Sequence, residues 1–374
     1  MSMKKIDLRK LHFCAKLLKY FPILLLFINI CFAQKHYTGQ SIEDVLSLPE
    51  KEISLCIATL VLAKDFYPDM KVELFIYTLE YMASRFKYYS GEYITPEERI
   101  GALNSFIYRK GYWNDWITFT YTEDEIPTED INNMFINGYL ATKTGSCITM
   151  PMLYILIGEK LGWPIYPATA PRHYFARYIT DEFTTINSEL NIETTCGGGI
   201  YPDEALIEDM SIPEKAIKNG VYMKTLTKKE YIASLVSMSA NKFAEGGNFE
   251  RARYLYELSL KYYPALAIAY RNLARLNYTE AAILDKRMRS EKNAENSFYR
   301  MSGGDNTERT ASLMSITQKY APMIQEKMKA YYENKQKALD LGFVENATYD
   351  YFKTQTEQLK EYQIEGKNKN VEIR

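Results

Sequence analysis

Three side chains in the middle of the chain have types and an order that could do chemistry. Cys147 stands at the threshold of an apolar stretch in "TGSCITMPMLYILIGEKLGWP", His173 opens "HYFARYI", and Asn191 and Glu193 follow in "LNIETT". A thiolate is a nucleophile, but a free cysteine near neutral pH is mostly thiol. A helix start supplies unpaired N–H groups and partial positive charge, both of which favour the thiolate. A nearby imidazolium lowers the thiol pKa further and later delivers a proton to a leaving group. A carboxylate or amide on the second ring nitrogen fixes the tautomer. The N–H groups around Cys147 could also hold an oxyanion. Asn191 and Glu193 lie two apart on one strand and face the same side. Glu193 orients an imidazolium more strongly, and Asn191 could do so as a neutral amide, so both stay in view with Glu193 preferred.

Each residue also has a plainer reading. Alone, Cys147 is a buried apolar thiol, His173 a packed or capping histidine, Glu193 a solvent-facing strand charge and Asn191 an edge amide. A Cys147–Cys196 disulfide would leave Cys56 as the one unpaired thiol, in a helical period that makes it buried and apolar. The order and context together favour convergence of Cys147, His173 and Glu193 or Asn191. Arg172 could meet a substrate carboxylate, although a surface arginine is the simpler reading.

The elements that must position these groups follow from periodicity. Apolar residues at i, i+3 and i+4 predict helices through residues 40–90. "TPEERIGALNSFIYRKG" opens another with Pro near the first position and two glutamates in the first turn. Residues 111–130 read as a loop and Asp130 to Thr142 as a helix. The Cys147 helix starts with either Ser146 or Thr149 as its cap; the second choice places Pro151 comfortably in the first turn. It ends at Gly162, with Pro164 beyond. After it the period changes to 2 in "HYFARYI" and "LNIETT", which predicts two strands around a turn near Thr180–Ser188. "CGGGIYPDEAL" reads as an irregular loop.

From Thr227 a helix, a Gly-Gly-Asn turn, a second helix, Pro264 and a third helix fit one tetratricopeptide unit of about 34 residues and part of another. Ala240 falls at the close-packed position of the first helix, and Ala252 and Tyr256 lie on the second. A stable stack needs about three repeats, so these helices are expected to lean on the first domain or on C-terminal helices near Glu308–Leu341 and 347–361. "GKNKNVEIR" should fray.

Composition sets the frame. The chain has 374 residues and a formal net charge of −1, so two domains are expected and no basic footprint for nucleic acid is present. The 32 tyrosines read as packing and surface stacking. Residues 1–33 read as a secretory signal peptide. Lys4, Lys5, Arg9, Lys10, Lys16 and Lys19 precede a 13-residue apolar run, "FPILLLFINICFA", shorter than the roughly 20 residues that span a bilayer. Cleavage is expected after Ala33; an uncleaved anchor or lipidation of Cys31 are the alternatives. Cys14 and Cys31 leave with the leader. Cys56, Cys147 and Cys196 remain, an odd number in an exported chain, so at least one thiol is free. Beyond the leader only His36 and His173 are imidazoles, and His36 lies three residues past the expected cut. No metal-ligand spacing and no phosphate loop is visible, so no cofactor is expected.

These motifs together resemble the transglutaminase-like superfamily, whose members have a papain-like cysteine-peptidase fold. The family pattern is Gly-x-Cys entering a helix that ends in Leu-Gly, a histidine at a strand start and an acidic residue on the next strand. Carried over, it implicates Cys147, His173 and Glu193, with Glu193 where classical members have Asp. "CITMPMLY", "NIETT" and "AIKNGVYMKTLTKKEYIASLV" resemble a group of bacterial exported proteins that join such a domain to tetratricopeptide-like helices. The resemblance covers roughly residues 60–290. It implies an α+β fold: a helix-rich papain-like or transglutaminase-like core with a small antiparallel sheet at 34–226, tetratricopeptide-like helices at 227–300, and C-terminal helices and tail at 301–374. The implied activity is cysteine-dependent amide hydrolysis or acyl transfer on a peptide or protein substrate. The alternative is a non-catalytic peptide- or protein-binding module, with a protein partner at the helical end. The implied location is exported, periplasmic or membrane-associated in a bacterium, with membrane contact only if the leader stays.

Overall fold

The computed structural model describes residues 39–91, 95–122, 129–179 and 189–344. The expected leader, His36, the turn around 180–188 and the helix at 347–361 lie outside the described residues. Four helices open the fold: α1 Ile42–Ser47, α2 Leu55–Lys64, α3 Val72–Ser90 and α4 Pro96–Tyr108. α1 and α4 start with reciprocal side-chain caps, Ser41 with Asp44 and Thr95 with Glu98, and Pro96 occupies the first position of α4. α2 reads "LCIATLVLAK" and is buried almost all round, so it runs through the core rather than over it. α3 buries one stripe, Val72, Ile76, Leu79, Ala83 and Phe86, at helical spacing.

The next segment departs from expectation. A short parallel pair, β1 Thr120–Tyr121 with β2 Thr144–Gly145, forms where a loop is predicted. The helix expected from Asp130 is broken: a tight turn at Ile131–Asn133 precedes α5 Ile136–Thr142. The break follows from Asp130, whose carboxylate accepts the Asn132 N–H at 2.9 Å and so competes with a helical ladder. α6 Thr149–Leu161 then crosses the core, buried from Thr149 to Gly158, and Gly162 closes it in a left-handed conformation.

Four antiparallel strands follow in the order β3 Ile165–Ala170, β4 His173–Ile179, β5 Glu189–Glu193 and β6 Gly199–Tyr201. Two of them are new relative to the sequence reading. Pro167 disguises β3, yet proline is tolerated because β3 is an edge strand of this sheet. β6 hides in the glycine run. β5 stops at Glu193, and Thr194–Cys196 turn away in a tight 3₁₀ helix, so "ETT" is not all strand. One sheet face puts Ala176, Tyr178 and Ile192 into the core shared with α6. The other puts Ala168, Ala170 and Phe175 against α7 Asp203–Asp209, α8 Glu214–Lys218 and Val221–Met223.

The remaining helices are α9 Lys228–Glu245, α10 Phe249–Tyr262, α11 Ala267–Ser302 and α12 Asn306–Leu341. α9 and α10 form the expected pair across Gly246, Gly247 and Asn248, with Ala240, Ala252 and Tyr256 buried between elements. The third helix is present but does not stop at repeat length. α11 and α12 are 36 residues each and form an antiparallel hairpin. Its outer half is polar: the buried residues of α11 end at Ala281, and α12 buries only Tyr320 and Ala338. Ion pairs such as Lys319–Glu291 and Lys327–Glu280 join the two arms.

α9, α10 and the start of α11 share one continuous core with α2 and α6, so they lean on the first part of the chain, as expected. Glu159 near the end of α6 ties this junction. Its carboxylate accepts the N–H groups of Leu55 at 3.1 Å and Cys56 at 3.2 Å, at the start of α2, and pairs with Lys228 of α9 at 2.8 Å. A carboxylate at a helix start meets both unpaired donors and the dipole. Replacing Glu159 with Ala is expected to lower the unfolding free energy by about 1–2 kcal/mol, read as a lower urea midpoint. An unchanged midpoint would show that the three helix ends hold without it.

Candidate active site

The entrance to α6 is built by two hydroxyls. Ser146 Oγ accepts the Ile148 N–H at 3.1 Å and donates to the Asn133 carbonyl at 2.6 Å. Thr149 Oγ1 accepts the Ser146 N–H at 3.0 Å, while the Ser146 carbonyl accepts the Met150 N–H at 3.0 Å. The cap position itself falls on Ile148, without a side-chain bond, so neither Ser146 nor Thr149 is the N-cap; the two hydroxyls instead brace the two residues between them. Pro151 sits in the first turn of α6, where its missing N–H costs no ladder bond. Gly145 is required here: a Cβ would lie 2.5 Å from the Tyr139 ring and 2.6 Å from Thr149 Oγ1. Cys147 is thus held at the positive end of α6 and 9% exposed. No backbone acceptor among the described residues takes its N–H.

β3 and β4 are joined by a two-residue turn, Pro171–Arg172, with Ala170 opposite His173. Arg172 takes φ 59° there, and its carbonyl lies 3.9 Å from Cys147 Sγ. His173 follows at once. The β4–β5 register pairs Arg177 with Asn191 and Ala176 with Ile192, which carries Glu193 toward the His173 end of β4. His173 Nε2 and Glu193 Oε2 are 2.6 Å apart, with side chains 0% and 1% exposed. Cys147 and His173 line the same cleft, and hydrogen bonding to Cys147 is one of the causes that raise the imidazole. With Nε2 committed to Glu193, Nδ1 is the ring atom left for the sulfur.

Glu193 is saturated. Its second oxygen accepts the Thr195 N–H at 3.0 Å and the Thr195 hydroxyl at 2.6 Å. Burial alone would push its carboxyl up, but the His173 charge and the Thr195 and His173 hydrogen bonds hold it below the ordinary value. Burial pulls His173 down, and the Glu193 charge with the Cys147 and Glu193 hydrogen bonds outweighs it, raising the imidazole to about 10. The two groups therefore form a buried ion pair.

Asn191 is placed differently. Its carbonyl oxygen accepts Arg177 Nε–H at 2.7 Å and its amide donates to Asp203 at 2.6 Å. Arg177 also meets Asp203 and Glu189, each at 2.9 Å, and the Met223 carbonyl at 2.9 Å. Asn191 thus belongs to a buried cluster that ties β4 and β5 to the segment before α9, and Glu193 is the orienting partner of the imidazole. Cys56, Cys147 and Cys196 are all free thiols, so the Cys147–Cys196 bridge is not made. Burial pushes Cys56 up to about 12, and burial with the Glu193 charge pushes Cys196 up to about 11.

The pair opens onto a cleft of about 200 Å³. Its far wall comes from α9, the start of α11 and Phe343, none of which the sequence reading assigns to the site. Thr195 was missed as well; a threonine two residues after a strand-end glutamate is the local signal for a carboxylate that caps its own turn.

The stability consequences have definite signs. The raised His173 contributes fully below the ordinary histidine value, and the contribution is lost as pH climbs through about 10. Glu193, held low, contributes above the ordinary carboxylate value and loses that on acidification. In Glu193→Gln the imidazolium loses its counter-charge. The alkaline fall in stability is then expected to begin at lower pH than in wild type, read as urea midpoints across the neutral and alkaline range. Coincident profiles would show that Glu193 does not hold the proton.

Among curated proteins and among solved structures nothing matches the chain. Residues 74–232 match the family model described as the transglutaminase-like superfamily. That stretch, which contains Cys147, His173 and Glu193, is a transglutaminase-like domain.

Proposed function

We propose that the protein is a cysteine-dependent amide hydrolase or acyltransferase acting on a peptide-type substrate. The observation that carries this is the buried His173–Glu193 pair at 2.6 Å, in a cleft that the Cys147 thiol lines from a helix start. Cys147 Sγ attacks the amide carbonyl as the thiolate, its proton already held on the His173 imidazolium. The carbonyl electrons move onto oxygen, and the Cys147 N–H at the start of α6 is positioned to hold that charge. The tetrahedral adduct collapses, the C–N bond breaks, and His173 delivers the proton to the leaving amine. Water or an acceptor amine then attacks the thioester, His173 takes its proton, and the sulfur leaves as the thiolate, which restores the starting pair. Glu193 keeps the imidazole in one orientation and stabilises its cation throughout. The basic leader and apolar run support an exported location, periplasmic or membrane-associated in a bacterium. Among the described residues no helix is long and apolar enough to cross a membrane.

Alkylation by iodoacetamide near neutral pH tests the activated pair. His173→Ala is expected to slow labelling of Cys147 by about a hundredfold, because the thiol loses its imidazolium. Cys147→Ala is expected to abolish amine release in a peptide and glutamine-amide screen. An alkylation rate that His173→Ala leaves unchanged would remove the nucleophile and leave the cleft as a binding module.

A further inference from the structure

The family match ends at residue 232, but the cleft does not. α9 presents Ser234, Ser237, Met238 and Asn241 to it, at i, i+3, i+4 and i+7. A second stripe of the same helix, with Tyr231, Ile232, Leu235, Val236 and Ala240, is buried in the main core. The helix is thus amphipathic between a core and a cleft, not between a core and solvent. Leu266, Ile268 and Asn272, around the start of α11, and Phe343, after α12, complete that wall.

We infer that these helices build the specificity pocket of the site, and that it receives a bulky apolar side chain on the acyl side of the amide attacked by Cys147. This rests on the function proposed above. Among the described residues lining the cleft no carboxylate appears, and the charged groups are His173 itself and Arg172, which is exposed at the turn. A charged substrate side chain would be desolvated there without a partner on the far wall. The cavity is smaller than the roughly 300–1,000 Å³ of pockets that enclose a whole small ligand. It suits one side chain of a longer molecule that continues into solvent.

The same wall carries a fixed polar group. Asn241 Oδ1 accepts the Tyr256 hydroxyl at 2.5 Å and Asn272 Nδ2 at 2.9 Å. With its oxygen doubly used, the Asn241 amide has its orientation set, and the Nδ2 donors are the atoms offered to the cleft. A donor beside an apolar hollow matches a peptide main-chain carbonyl next to an apolar side chain.

The test uses the full chain and four peptidyl acyloxymethyl ketones, differing only in Leu, Phe, Gln or Glu next to the reacting carbonyl. In each, Sγ displaces the carboxylate leaving group and forms a thioether. Iodoacetamide, which has no side chain, gives the reference rate, and the quantity read is the ratio of the two. The Leu and Phe probes are expected to exceed the Gln and Glu probes by about tenfold or more. Ile268→Asp, at a position already 37% exposed, is expected to erase that preference, and Asn241→Asp to lower the ratio for all four probes. Equal ratios, or a preference for Gln or Glu, with iodoacetamide labelling still dependent on His173, would overturn the pocket and leave the proposed chemistry standing. Iodoacetamide labelling that does not depend on His173 would overturn both.

Discussion

A buried carboxylate beside a buried imidazole is the constraint around which the middle of the molecule is arranged. Neither group reaches water, so each must find every hydrogen bond inside the protein. Glu193 does so by ending its strand and letting Thr195 fold back onto it. The turn that results must itself be held. Tyr108 of α4 donates to the Thr194 carbonyl at 2.8 Å, and Asn104 of the same helix donates to the Gly198 carbonyl at 2.8 Å. Tyr154 of α6 donates in turn to Asn104 at 2.5 Å. Gly198 has φ +80°, and a Cβ there would fall 2.0 Å from Asn104 Oδ1, so the glycine run is the condition for this contact. The helix that carries the thiol therefore also braces the loop that orients the histidine.

The thiol end is fixed by an independent set of bonds. The β1–β2 pair, the Ser146–Thr149 exchange and the Asn133 carbonyl position Cys147 from one side. The β3–β4 turn positions His173 from the other. The two sets touch where the Arg172 carbonyl lies 3.9 Å from Cys147 Sγ, and the sulfur and the ring share one cleft because α6 and the sheet pack through a common core. That is the logic of preorganisation on rigid elements rather than on mobile loops.

The candidate site residues are legible because their chemistry is scarce: one histidine in the described chain, a cysteine in a Gly-x-Cys approach to a helix, and an acidic residue on the strand after the histidine's. The choice between Asn191 and Glu193 was not, because both face one side of β5. Two residues of register decide which meets the ring and which meets Arg177. β3 was hidden by Pro167, whose position at a sheet edge no local pattern reveals. The break before α5 was hidden because Asp130 looks like the start of a continuous helix. The helix–turn–helix spacing after Thr227 indicates the α9–α10 pair. It did not indicate the long hairpin, whose arms lose their buried stripe halfway and are joined there by ion pairs instead. The cleft wall was invisible for a different reason. Its residues lie roughly 90 to 200 positions beyond Cys147, and serine, methionine and asparagine on a helix carry no signature of a site.

The end of the family match inside α9 marks where a shared pattern stops, not where the structure does. Cutting there would remove Leu235, Val236 and Ala240 from the core and Met238 and Asn241 from the cleft. A helix buried on one face and lining a site on another cannot be moved without cost to both. Burial of large apolar side chains contributes on the order of 1.5–3 kcal/mol each, so the core face anchors the cleft face firmly. The shape of the pocket is then inherited from the stability of the fold. Changes on the outer half of the α11–α12 hairpin, where little is buried, act on neither.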